Sequence, residues 1–318
     1  MSGRILALAG GVGGAKLAFG LSNVLPSDAL TVAVNTADDF EHLGFSISPD
    51  LDTVMYKLAG VANPETGWGR QGESWTVMEA LGAVGGETWF RLGDKDLATH
   101  IERSRRLRAG ESLSSVTRDL AARLGAKPAM VPMSDDPVRT MVTTDQGELA
   151  FQDWFVRLQC RPVVRSVRFA GAELARPHPA LLDLEGLRGV VVCPSNPFVS
   201  VAPILAVPGV RAALTSFKGP RVAVTPIVGG QAIKGPAAKM LAELGHDVSA
   251  LGVARYYKGW IDGFVLDAQD AALAADITAL GVRVRVADTM MRNDADKRRL
   301  AVEVLDFVDE LAVSGRHS

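Results

Sequence analysis

The first sixteen residues narrow the choice of fold more than any other stretch of this chain. An apolar run, Ile5-Leu6-Ala7-Leu8-Ala9, ends in Gly10-Gly11-Val12-Gly13-Gly14-Ala15-Lys16. A helix follows from Lys16 to Leu25, with Leu17, Leu21, Val24 and Leu25 on one face, and Pro26 stops it. Leu30-Thr31-Val32-Ala33-Val34-Asn35 then reads as a second strand. Strand, helix and strand within so short a span form a βαβ unit, which places the chain among α/β proteins with a mostly parallel sheet. Glycines between a strand and a helix let backbone N–H groups approach an anion. They serve a tight strand–helix corner equally well. The pattern is not a dinucleotide fingerprint, because Lys16 stands where the third glycine belongs. It is not a P-loop either, because no Gly-Lys-Ser/Thr follows.

The second strand exits into Asn35-Thr36-Ala37-Asp38-Asp39, and Ser48-Pro49-Asp50-Leu51-Asp52-Thr53 opens the next helix. Ligands of open α/β sheets sit beyond the carboxyl ends of the strands. Asp38, Asp39, Asp50 and Asp52 therefore belong beside the glycine turn. Capping by Asp50 or Asp52 accounts for one of these acids. Four crowded carboxylates repel one another unless a cation or hydrogen-bond donors offset them, so a divalent-cation site and a set of caps and turns both remain open.

Residues 65–129 read as a mainly helical insertion, with helical patterns over Val77–Leu81, Leu97–Leu107 and Leu113–Leu124. Residues 1–64 and 130–318 form the sheet-bearing core. The run Arg103-Ser104-Arg105-Arg106-Leu107-Arg108 reads as a solvated helix face, with contact to a phosphorylated substrate as the alternative. From Ala129 the pattern turns β-rich. A hairpin is expected around Asp145-Gln146-Gly147-Glu148, and extended chain over Trp154–Leu158 and Val163–Phe169. Later strands are Gly189–Cys193, Arg221–Ile227, Phe264–Asp267 and Val282–Ala287. Helices are expected over Ala237–Leu244, Asp270–Leu280 and Asp294–Leu311. The strand ending at Cys193 exits into Pro194-Ser195-Asn196-Pro197, and the next into Gly229-Gly230 and Lys234.

A formal net charge of -2 gives no basic field for nucleic acid or an anionic membrane. No apolar run reaches the roughly 18–20 residues of a spanning helix, and the N-terminus lacks a signal-peptide pattern. Cys160 and Cys193 read as buried free thiols, which fits a cytoplasmic setting. The five histidines are scattered, and neither Gly-x-Ser-x-Gly nor His-Glu-x-x-His is present. What remains is glycines and lysine for phosphate, acids for a cation, and small polar residues at a third strand exit. That is equipment for phosphoryl or phosphodiester transfer.

These same segments resemble the 2-phospho-L-lactate transferase family of coenzyme F420 biosynthesis. The matching residues are Gly10 to Lys16, Val34 to Asp39, Ser48 to Tyr56, Gly67-Trp68-Gly69, Trp89 to His100, Pro194 to Pro197 and Thr225-Pro226-Ile227. The resemblance implies a Rossmann-like core with a small helical domain, assembled as a homodimer. It implies transfer of a phospho-acid (2-phospho-L-lactate, phosphoenolpyruvate or 3-phosphoglycerate) from a guanosine-diphosphate-activated donor to the deazaflavin Fo. GMP is released and Mg²⁺ is required. Carried over by residue, Asp52 and Arg91 fall at Fo-binding positions, and Asp38 and Asp52 at catalytic ones. Asp38, Asp39 and Asp50 are the metal candidates. Gly10, Gly11, Gly13, Gly14, Lys16, Ser195 and Asn196 fall on the donor phosphate side. No motif residue selects among the three acids. The alternatives are a nucleotide-binding regulator of the same fold and another Rossmann-type nucleotide-dependent enzyme.

Overall fold

The computed structural model describes residues 3–314. Seven parallel strands form the central sheet: β1 (Arg4–Ala9), β2 (Leu30–Val34), β3 (Ala129–Pro132), β4 (Leu187–Val192), β5 (Arg221–Val224), β6 (Gly263–Asp267) and β7 (Arg283–Ala287). Their order across the sheet is β7-β6-β5-β4-β1-β2-β3, and every pairing is parallel. The sheet is thus wound in two directions from β1, and the switch point falls between β1 and β4. That is where this architecture opens a ligand crevice.

Alternation along the strands builds a core on each face of the sheet. Ile5, Ala7 and Ala9 of β1 point into one, with Leu17, Leu21, Val54 and Val304. Leu6 and Leu8 point into the other, with Val190, Val192, Ile204 and Leu241. Strands buried on both faces have no polar side to show, which is why they read as continuous apolar runs.

Helix α1 spans Gly11–Ser22 and α2 spans Pro49–Leu58. Three further helices, α3 (Thr76–Ala83), α4 (Asp94–Arg108) and α5 (Leu113–Leu124), follow before β3. A small hairpin, Phe40–His42 with Phe45–Ile47, precedes α2. Its Ile47 shares a minor core with Met78 and Leu92. The expected hairpin after Ala129 is present as Arg139–Thr144 paired with Gly147–Ala150, and Val164–Ala170 adds a third antiparallel strand.

The structure corrects four local expectations. Helix α1 begins at Gly11 rather than Lys16, so the glycines form its first turn. Trp154–Leu158 is not extended: Asp153–Arg157 is one wide helical turn, which sinks Trp154 into the core with its indole N–H on the Pro162 carbonyl. The helix expected over Asp270–Leu280 is split into a tight turn, Ala268–Leu273, and a short helix, Ala274–Thr278. The basic run of α4 is not a uniformly solvated face: Arg103 and Arg106 are buried, and only Arg105 and Arg108 lie on the exposed side.

Candidate active site

The glycines at the β1 exit are required by close packing. A Cβ on Gly13 would overlap the carbonyl oxygen of Pro194. One on Gly14 would sit 2.6 Å from Ser195 Oγ, and one on Gly10 2.6 Å from Asp50 Oδ2. Bare backbone lets the β1 and β4 exits and the start of α2 converge on one point. Ser195 fastens the junction: its hydroxyl donates to the Gly10 carbonyl at 2.9 Å and accepts the Gly10 N–H at 3.3 Å. Asn196 accepts the Phe198 N–H at 2.9 Å and so caps the turn that follows.

Neither Asp50 nor Asp52 caps its own helix; the N-cap of α2 is Ser48, whose hydroxyl donates to Asp39 at 2.7 Å. Asp50 instead accepts the Gly11 N–H at 2.7 Å and so caps α1 from across the crevice. Its other oxygen accepts from the Asn35 side chain at 3.0 Å. Asn35 also reaches the Val199 carbonyl at 3.1 Å and is fully buried. The motif at the second strand exit includes Asn35, but no site role was assigned to it.

A cavity of about 690 Å³ opens at this junction. Gly10, Gly11, Gly13, Lys16, Ser195 and Asn196 line it together with Asp38, Asp50 and Asp52. Trp68, Trp89, Phe90, Arg91, Phe151 and Phe155 line it as well; Phe151 stacks on Phe155, and Trp89 meets Phe90 edge-on. Arg91 stacks on Trp75, its guanidinium 4.1 Å from the ring centre. Gly14 and Asp39 are not among the lining residues. Gly14 lies beneath Ser195, and Asp39 behind the wall on Ser48.

The acids differ in charge environment. Burial pushes Asp38 well above the usual carboxylate range, and the Asp50 charge adds to it; a hydrogen bond from Thr140 at 3.0 Å offsets part. Burial lifts Asp50 to about 6 against the hydrogen bonds from Asn35 and Gly11. Burial lifts Asp39 to about 7, opposed by Ser48 and the charge of Arg139. Lys16 is lowered by burial and by the charges of Lys234 and Lys297.

Asp38 and Asp50 are hydrogen-bonded only by neutral groups, so their charge is not balanced by these partners. Two such carboxylates in one cavity wall are hard oxygen donors that suit a divalent cation. Among the described residues, the group of three whose ligand atoms all lie within 4.8 Å of one another is Asp52, Asp96 and His100; the expected set of Asp38, Asp39 and Asp50 does not come together that closely. There, however, the Arg103 guanidinium grips Asp52 with both terminal nitrogens, Nη1 at 2.9 Å from Oδ2 and Nη2 on Oδ1. Arg103, expected on a solvated basic face or against a phosphorylated substrate, instead lies buried behind the wall on Asp52. The available signal was a helical stripe of polar residues, Asp96, Thr99, His100 and Arg103, on what proves to be the buried face of α4.

Comparison with known proteins fits this arrangement. The family model for 2-phospho-L-lactate transferase CofD matches residues 5–306. The chain belongs to the 2-phospho-L-lactate transferase family. A phosphoenolpyruvate transferase of Streptomyces griseus is 42% identical over 315 residues, covering 97% of this chain and 99% of that one. A 2-phospho-L-lactate transferase of Methanosarcina mazei is 39% identical over 298 residues, covering 93% and 98%. Among solved structures, a UPF0052-family protein of Bacillus halodurans superposes with a TM-score of 0.61 at 14% identity, covering 96% of this chain and 99% of that one. At that identity the likeness establishes the α/β fold alone. Among the described residues no single helix is long and apolar enough to cross a membrane.

Proposed function

We propose that this protein transfers a phospho-acid from a guanosine-diphosphate-linked donor to the terminal hydroxyl of the deazaflavin Fo, releasing GMP. The observation that carries the reading is the continuity of one cavity. Its lining combines the glycines at the start of α1, the carboxylates of Asp38, Asp50 and Asp52, and a set of aromatic side chains. A diphosphate suits the glycine-lined part, where Lys16 offers positive charge and the start of α1 beyond the Gly11 N–H held by Asp50 faces the cavity. A flat tricyclic ring suits the aromatic set, where Trp and Phe side chains present apolar faces. Ser195 and Asn196 hold the donor end in shape. Arg91, steadied by Trp75, borders the acceptor end.

Asp38 and Asp50 are the residues that would hold Mg²⁺, with Asp39 behind them as a further acid. The ion, when bound, supplies positive charge to the phosphate oxygens on which negative charge accumulates. Asp52 accepts a hydrogen bond from the attacking hydroxyl and aims it at the phosphorus. The new oxygen–phosphorus bond forms as the bond to the GMP phosphate breaks, and the hydroxyl proton passes to Asp38 or Asp52. Residues 65–129 act as an acceptor-side unit laid against the core formed by 1–64 and 130–318, in a cytoplasmic homodimer.

The test is incubation of the purified protein with Fo, Mg²⁺ and guanosine-diphosphate-linked donors of each of the three acids, followed by mass spectrometry. One of the donors is expected to give a phosphodiester adduct of Fo together with GMP. Absence of an adduct from all three removes the transferase reading and favours a nucleotide-binding regulator.

A further inference from the structure

Asp52 is 5% exposed and its partner Arg103 1% exposed. A guanidinium and a carboxylate that meet through two parallel contacts fix each other's orientation as well as their charge. Arg103 is in turn held by His100, whose Nδ1 lies 3.3 Å from Arg103 Nη1 and 3.6 Å from Asp52 Oδ2. A guanidinium only donates, so Nδ1 is the accepting nitrogen and the ring proton belongs on Nε2. Nε2 lies 3.3 Å from Asp96 Oδ1, and the Tyr56 hydroxyl donates to that same oxygen at 2.6 Å. The chain of contacts runs Tyr56, Asp96, His100, Arg103, Asp52. Tyr56, Asp96, His100 and Asp52 all line the cavity; Arg103 alone of the chain does not, so it acts only through its neighbours.

We propose that Arg103, oriented by His100, is a positioning residue for the transfer reaction: it fixes the Asp52 carboxylate toward the acceptor hydroxyl. This rests on the transferase reading given above. Two features favour a positioning role over a metal centre at Asp52, Asp96 and His100. The guanidinium already supplies the positive charge that Asp52 needs. A divalent ion placed among those three atoms would stand close to the Arg103 charge and be repelled by it. The cation-seeking acids, Asp38 and Asp50, lie elsewhere on the wall, so the two carboxylate groups divide the work. One group serves the phosphate and the other the incoming hydroxyl.

Replacement of Arg103 should therefore affect the acceptor and leave the donor alone. In Arg103→Met, kcat/KM for Fo per folded site is expected to fall about 10²-fold, the scale of a misplaced reacting group. The affinity for GDP, used as the donor-end probe, should stay within about twofold of the unaltered protein. Arg103→Lys keeps the charge without the two-pronged grip and is expected to recover about tenfold of the loss. His100→Gln offers one acceptor and one donor in place of the imidazole and should lie between the unaltered protein and Arg103→Met.

A strut that only supports the fold would lower the fraction of GDP-binding sites and leave the Fo kinetics of the surviving sites unchanged. That result overturns the proposal, as does Arg103→Lys at full activity per site. If Arg103→Met does not fold, Arg103→Lys and His100→Gln decide by the same measurement. Failure of the unaltered protein to turn over Fo with any donor would instead sink the transferase reading itself.

Discussion

Asp50 and Asp52 are two residues apart on the first turn of one helix, both buried, yet their surroundings are opposite in kind. Asp50 meets only neutral donors, the Gly11 N–H and the Asn35 amide, and has Asp38 as a like-charged neighbour. Asp52 meets a guanidinium. The first arrangement is short of positive charge and the second is balanced. The difference teaches that an acidic cluster is not one object. Helical geometry turns alternate residues to different neighbours, and those neighbours decide whether a carboxylate seeks a cation or serves as a fixed acceptor.

That contrast can be broken in order of expected effect. Asp52→Asn leaves Arg103 buried without its counter-charge and is expected to destabilise the fold by about 3–5 kcal/mol, measured by urea unfolding. A loss close to zero would mean that Arg103 is free to reach water. Asp38→Asn should act on the reaction instead, lowering kcat by about 10²–10³-fold, the effect of removing one electrostatic contact to the transition state. Its melting temperature in cation-free buffer should rise rather than fall, because a repelled charge is removed. A fall would place Asp38 with Asp52 rather than with Asp50.

Gly13→Ala tests the junction between the two groups and the glycine turn. The added methyl overlaps the Pro194 carbonyl, so thermal unfolding should register a loss of about 1–3 kcal/mol. An unchanged transition would show that the β4 exit yields freely.

A last test concerns pH. Asp50 is raised to about 6 and Asp39 to about 7, so both bind protons more tightly in the folded chain than in the unfolded one. Their contribution is complete below the unfolded value near pH ~4 and is lost as the pH rises through those folded values. In cation-free buffer the melting temperature should therefore decline as the pH rises from about 4 to about 7. Added Mg²⁺ should recover more of it above pH ~7 than below pH ~6, since ion and proton compete for the Asp50 oxygens at the cavity wall. Equal recovery at both pH values would detach the ion from these acids.

The sheet was legible in the sequence because its strands are buried on both faces and carry unbroken apolar runs. Val190–Val192 and Phe264–Leu266 have few other ways to be satisfied. The acids were legible because Asp38, Asp39, Asp50 and Asp52 crowd two element ends close in sequence. The Arg103 chain was not. Its members come from α2 and α4, and a basic run is ordinarily a solvated face, so only the fold reveals that α4 turns Arg103 inward. The glycines were visible, but their reason was not: it depends on Pro194 and Ser195, which arrive far along the chain. The turn at Trp154 was misread because aromatic and β-branched residues favour strands until a buried indole demands otherwise.

The Ser195 hydroxyl and the Gly10 carbonyl meet across 185 positions of sequence. The crevice is therefore absent from any partly made chain that stops short of β4, even though β1, α1 and the acids of α2 are already present. A growing chain carries its four aspartates and its glycine turn without a cradle to combine them. The crevice exists only once β4 lies beside β1, so its closure depends on a contact between distant parts of the chain.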